Sequence, residues 1–133
     1  MTENEIAQIV YVSYDKILKI LGVGLLEKAY SAALAYELRK CGFKVDVEVE
    51  QPVMYESVQI APAYRMDLLI EDKVVVELKS VENLLPVHKA QLLTYLRLSN
   101  KRLGLLINFG NSSRIDGFKR IINCATPEDL NKE

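Results

Sequence analysis

AYRMDLLIEDKVVVELKS, residues Ala63 to Ser80, is the stretch from which the rest of the chain takes its meaning. Two apolar runs, Leu68 to Ile70 and Val74 to Val76, flank the polar break Glu71-Asp72-Lys73. That is the pattern of a β-hairpin with a short connection. If Ile70 pairs with Val74, antiparallel register sets Asp67 opposite Glu77 and Arg65 opposite Lys79, with opposed Cβ atoms about 5 Å apart. The two-residue period of a strand also puts Glu77 and Lys79 on one face. Two carboxylates and an ammonium therefore meet on a strand that otherwise reads Val-Val-Val-x-Leu. Such a strand is normally buried, where charge is costly unless paired or bound to a metal. A structural ion pair from Lys79 would neutralise one carboxylate and leave the other, and a divalent cation would balance both. Arg65 opposite Lys79 is an unfavourable like-charge pair unless the strands diverge or an anion, such as a substrate phosphate, lies between them.

The 133 residues suit one domain, 1–133, with a core of its own and a polar tail over about 124–133. Hydrophobic residues at 50% and charged ones at 26% are the balance of an ordinary soluble globular protein. A net charge of −1 gives no global sign of nucleic-acid binding, so such a partner must be met by a local patch. Arg97, Lys101, Arg102, Arg114, Lys119 and Arg120, against the acid Asp116, are the candidates. Cys41 and Cys124 show no metal spacing and no disulfide framework, which suits a reducing compartment and burial as small apolar residues. Asp15, Lys16 and Lys19 interrupt the N-terminal apolar stretch, so neither a signal peptide nor a membrane span is expected there. The expected location is the cytoplasm.

Along the chain, Thr2 and Glu5 form a capping box, and Ile6, Ile9, Val10, Tyr14, Ile17, Leu18 and Leu21 recur at helical spacing until Gly22. After Gly22-Val23-Gly24 a second helix is expected from near Leu25 to Gly42. Leu26, Ala29, Tyr30, Ala33, Leu34, Leu38 and Cys41 lie on its apolar face, and Glu27 in its first turn. Phe43, Val45, Val47 and Val49 alternate with polar residues as in a half-buried strand, and 52–62 continues as an extended piece and loop. Pro86 opens a helix over 87–99, on which His88, Gln91 and Tyr95 share a face. His88, a lone histidine near a helix start, suits a capping or surface position. The apolar run 103–109 suits a central strand, joined to the hairpin by a parallel crossover; a loop over 110–113 and a short element over 118–122 complete the order. The fold class is α/β, a sandwich around one mixed sheet.

At these residues the chain resembles a known family. Gly24-Leu-Leu-Glu27-Lys-Ala-Tyr30 matches the pattern that names the GxxExxY proteins. Asp67, Glu77-Leu-Lys79 and Gln91-Leu-Leu-Thr-Tyr95 match, in order, motifs of the PD-(D/E)XK nuclease-like superfamily to which those proteins are assigned. Met66 stands where the superfamily name has proline. The resemblance implies a restriction-endonuclease-like core, a mixed β-sheet flanked by helices, running a Mg2+- or Mn2+-dependent phosphodiesterase. It implies Asp67, Glu77 and Glu27 as metal ligands, Lys79 activating or orienting the attacking water, and Gln91 and Tyr95 organising site and substrate. Tyr30 and Arg65 join Tyr95 as candidate substrate contacts. Nucleic acid, DNA or RNA, is the expected partner.

Two readings compete. One is a metal-dependent nuclease; the other is a nuclease-like fold kept as a nucleic-acid-binding or protein-interaction module, since fold does not decide function. The charged cluster of Glu27, Asp67, Glu77 and Lys79 favours the enzyme. One site per chain also makes a two-fold homodimer the simplest way to cut both strands of a duplex.

Overall fold

The structure, a computed structural model, describes residues 1–124 and, over 61–63, the backbone alone; the expected polar tail, from 125 to 133, lies outside the described residues. Thr2 caps the first helix, α1 (Glu3–Leu21), by accepting the Glu5 N–H at 3.2 Å, and the helix buries the stripe Ile6, Val10, Tyr14, Ile17 and Leu18. The second helix, α2 (Glu27–Lys40), buries Tyr30, Leu34, Ala35 and Leu38. Leu26 and Cys41, expected on that face, are exposed because they lie just outside the helix, at its N-cap and C-cap positions. Cys124, past the last strand, is exposed as well, so both cysteines depart from the expected burial.

Among the described residues five strands follow: β1 (Val45–Tyr55), β2 (Val58–Ile70), β3 (Val74–Lys79), β4 (Leu103–Asn108) and β5 (Phe118–Ile122), with α3 (Pro86–Ser99) between β3 and β4 and the single turn α4 (Arg114–Gly117) before β5. They form one mixed sheet in the order β1-β2-β3-β4-β5, antiparallel except for β3 and β4, which α3 joins as the expected parallel crossover. Alternate residues of the central strands feed two cores. Leu68, Val74, Val76, Leu78, Leu105 and Ile107 face α1 and α2, whereas Met66, Leu69, Val75 and Leu106 pack with Leu92 and Leu96 of α3. Gly104 leaves room for Leu92, which would press on any β-carbon there.

The first hairpin is longer than the sequence suggested. What was expected as an extended piece and loop over 52–62 is the far part of β1 and β2, turning at Glu56 and Ser57. Its alternation is also broken. Val45 packs toward α1 and α2, Val47 is exposed, and Val49 packs on the α3 side. The change falls at Glu48, whose φ of +52° is left-handed, and it is shared by the neighbouring strand, where Leu68 and Met66 face opposite layers. Register is kept on either side, Val47 with Leu68 and Val49 with Met66, so the kink is confined to Glu48 and Asp67. A left-handed residue in a strand re-aims the side chains that follow.

Candidate active site

The kink decides where the carboxylates go. The β2–β3 ladder pairs Ile70 with Val74, as expected, and continues only to Leu68 with Val76. Beyond that point side chains take over the bonding. The Asp67 N–H donates to Glu77 Oε1 at 3.0 Å, and the Leu78 N–H donates to Asp67 Oδ2 at 2.8 Å. The expected meeting of Asp67 and Glu77 is thus made by their carboxylates bridging the gap between two parting strands. Arg65 does not reach Lys79. It pairs instead with Glu50 across β1 and holds Glu48 through its exposed guanidinium at 3.9 Å.

Glu77 is only 7% exposed. Burial, and then the neighbouring charge of Asp67, push its carboxyl up to about 8, against an ordinary 4.5. Asp67 is raised too, first by burial; the Leu78 N–H and the charge of Lys79 oppose the rise, and Glu27 adds to it. The pair is therefore a buried dyad that Lys79 only partly offsets. Among the described residues no ion pair joins Lys79 to either carboxylate. Lys79 itself is half-buried at the end of β3, where its carbonyl accepts from the Phe109 N–H at 2.8 Å.

Glu27 reaches the same place from the α2 side. It lines a cavity of about 140 Å³ with Lys28, Ser31, Glu48, Asp67 and Leu78. On the opposite face Tyr95 of α3 lies close enough to Glu77 and Asp67 that their charges, after burial, help raise its phenol. Its ring meets that of Tyr64 at 5.8 Å between centroids. Gln91, one turn earlier on α3, is exposed. His88 is a cap, accepting the Leu85 N–H on Nδ1 at 3.0 Å.

Tyr30 is fully buried, stacked on Phe109 at 4.3 Å, and its hydroxyl is bound to the backbone at Gly22 and Leu25. The substrate contact expected of it is not available from that position. The expected basic face divides as well. Lys101 pairs with Asp72 and, with Arg102, sits where β4 begins, the sheet end remote from Lys79. Arg114 pairs with Asp15 at 2.9 Å, and Arg120 bonds Asn4.

Two residues of the site went unnoticed in the sequence. Glu48 looked like one more solvent-facing position of an alternating strand. Asn108 did carry a signal, as the polar residue in an otherwise apolar run. Buried beside Lys79 on β4, it accepts the Val81 and Gly110 N–H groups at 3.1 and 2.9 Å and donates to the Val81 carbonyl at 2.8 Å. It thereby fixes the chain as it leaves the site. Gly110 completes this clamp, since a β-carbon there would fall on the Val81 backbone.

Asp67 Oδ1 and Glu77 Oε2 lie outside the two backbone hydrogen bonds just described. These are hard oxygen donors, and magnesium is commonly held by one or two carboxylates with water and substrate oxygens completing the shell. The dyad fits a divalent ion of this kind. Among the described residues, however, no three His, Cys, Asp or Glu side chains close into a metal cage. Glu27, the third carboxylate of the expected set, lines the same cavity as Asp67.

A mixed sheet between helical layers, with an Asp and a Glu-x-Lys meeting where its central hairpin opens, defines a nuclease-like α/β class. The sequence model of the PD-(D/E)XK nuclease superfamily matches residues 4–121, and the chain belongs to that family. Neither the curated proteins nor the solved structures contain a match to the chain. Among the described residues no helix is long and apolar enough to cross a membrane.

Proposed function

We propose that this protein is a metal-dependent nuclease that hydrolyses phosphodiester bonds of DNA or RNA. The observation that carries the reading is the buried Asp67–Glu77 dyad, poised in the sheet opening with a lysine beside it. Asp67 and Glu77 would hold Mg2+ or Mn2+, with Glu27 facing the same ion from α2. Such an ion supplies Lewis-acid polarisation of the phosphate and a lowered pKa for its water. Lys79 orients the attacking water and stabilises the charge that develops on the phosphate oxygens. Gln91, exposed on α3, aligns the substrate strand, Tyr95, buried beneath it at 7% exposure, organises the dyad, and Arg65 is an exposed phosphate contact at the rim, released from Glu48 when substrate binds.

Exposed, unpaired Cys41 and Cys124 suit a reducing compartment such as the cytoplasm. With one dyad per chain, cutting both strands of a duplex is simplest for a two-fold dimer; light scattering that finds only monomer at assay concentration removes that part.

The test is cleavage of a panel of single-stranded, duplex and branched DNA and RNA with Mg2+, Mn2+ or EDTA, using Lys79→Ala as control. Metal-dependent cutting lost in Lys79→Ala supports the nuclease. Protein that cuts nothing, yet binds nucleic acid equally in EDTA, is a binding module and refutes it.

A further inference from the structure

Tyr30 has a buried ring and a fully engaged hydroxyl three residues after Glu27, on the helix that brings Glu27 to the dyad. The ring is fixed from behind by Phe109, stacked at 4.3 Å and 10° between planes, where β4 ends. From that anchor the hydroxyl donates to the Gly22 carbonyl at 2.6 Å and accepts the Leu25 N–H at 3.1 Å, so it spans both ends of the turn before α2. The turn needs the constraint. It passes through Gly22 and Gly24 at φ of +69° and +108°, residues that hold no conformation by themselves. α2 then starts without a side-chain cap, because Leu26 offers no acceptor.

The other side of Leu25 is held by the site strand. The Ser80 hydroxyl donates to the Leu25 carbonyl at 2.8 Å, one residue after Lys79. The Leu25 N–H is thus tied to Tyr30 and its C=O to the chain carrying Glu77 and Lys79. Two residues later Glu27 opens α2 and lines the cavity of Asp67. Glu27 itself is exposed, so its place relative to the dyad comes from the backbone beneath it.

We propose that Tyr30 is a positioning residue for Glu27: its hydroxyl, with Ser80 as counterpart, locks the Gly22–Leu25 turn to the end of β3 and so holds the Glu27 carboxylate toward a cation bound at Asp67 and Glu77. This rests on the metal-dependent reading and gives that site its third, outer carboxylate. Tyr30→Phe keeps the stacked ring and deletes only the hydroxyl. Ser80→Ala releases the same turn from the other side, so the inference does not depend on one variant folding.

The experiment is Mn2+ titration by calorimetry on the wild type, Tyr30→Phe, Ser80→Ala, Glu27→Gln and Tyr30→Phe/Glu27→Gln, with hydrogen–deuterium exchange over 22–28 in metal-free protein. The expected result is roughly 10-fold weaker Mn2+ binding in Tyr30→Phe, the size usual for partners that orient ligands. Exchange should be faster over 22–28 while the cores stay protected. In the Glu27→Gln background the hydroxyl should make no further difference, since what it positions is gone. Equal affinity in the wild type and both turn variants, unchanged exchange, or an undiminished Tyr30→Phe loss in the Glu27→Gln background overturns the assignment while leaving the nuclease reading standing. Wild type that takes up no Mn2+ overturns the metal-dependent reading and the assignment with it.

Discussion

The apo protein should lose stability as pH rises from 5 to 8, the reverse of the usual behaviour of a carboxylate. Glu77 has a folded-state pKa of about 8 against an ordinary 4.5. Between these values the folded chain keeps a proton that the unfolded chain has released. The Glu77 contribution to stability is therefore fully present below 4.5 and is lost as pH rises to about 8, by about 1.4 kcal/mol per unit. From pH 5 to 7.5 the loss is about 3 kcal/mol, or roughly 10 °C in Tm for a domain of this size. Asp67, also raised, acts in the same direction. The other shifted groups titrate outside this window: Asp15 and Glu37 are lowered by their lysine and arginine partners, Lys16 is raised by Glu37, and Tyr14 and Tyr95 are raised by burial. Glu77→Gln keeps an oxygen for the Asp67 N–H and removes the titration. Its Tm in EDTA should fall less steeply over this range, with Asp67 alone still titrating, and should exceed the wild-type value at pH 7.5. Millimolar Mg2+ or Mn2+ should flatten the wild-type profile and leave Glu77→Gln unmoved, because a site that forms only on folding stabilises by mass action. Calorimetry in EDTA and in metal at four pH values is sufficient. Wild type whose Tm in EDTA is level or rising from pH 5 to 7.5 would show Glu77 ionised and paired with Lys79, a structural salt bridge, and would refute the reasoning.

Asp67→Asn retains an oxygen acceptor for the Leu78 N–H but removes a buried charge, so it should abolish the metal-induced rise in Tm while matching or exceeding wild-type apo stability at pH 7.5; thermal scans with and without Mn2+ check both. Lys79→Ala should lower cleavage by about 100-fold or more, with Tm close to wild type, since among the described residues the amine makes no ion pair that folding depends on. Asn108→Ala strips partners from the Val81 and Gly110 N–H groups and should cost about 2 to 3 kcal/mol by urea unfolding. Alanine at both Lys101 and Arg102, at the far end of the sheet, should leave nucleic-acid affinity and its salt slope unchanged; a slope lower by about 0.9 per lost contact would place phosphates there.

Much of the fold was legible because it rests on periodicity. The stripe from Ile6 to Leu18, the apolar run 103–109 and the Pro86 helix start each state one element and one buried face, and the Ile70–Val74 register followed from the two apolar runs alone. Asp67, Glu77 and Lys79 were legible for the opposite reason: they violate the pattern around them, and a charge in a valine strand needs a cause. Tyr30 was legible as a motif member but not as an anchor, because the Phe109 ring that fixes it lies far along the chain. Glu48 was hidden by a rule that works everywhere else. Alternation assumes that each residue turns the strand by the same half-step, and one left-handed φ reverses the faces without changing a single side chain's hydrophobicity. That reversal also opens the β2–β3 ladder at Asp67, since a strand that re-aims its side chains there cannot continue the same hydrogen bonds to β3. The dyad therefore exists because the sheet fails locally, and hydrophobic patterning records where a sheet continues, not where its backbone lets go.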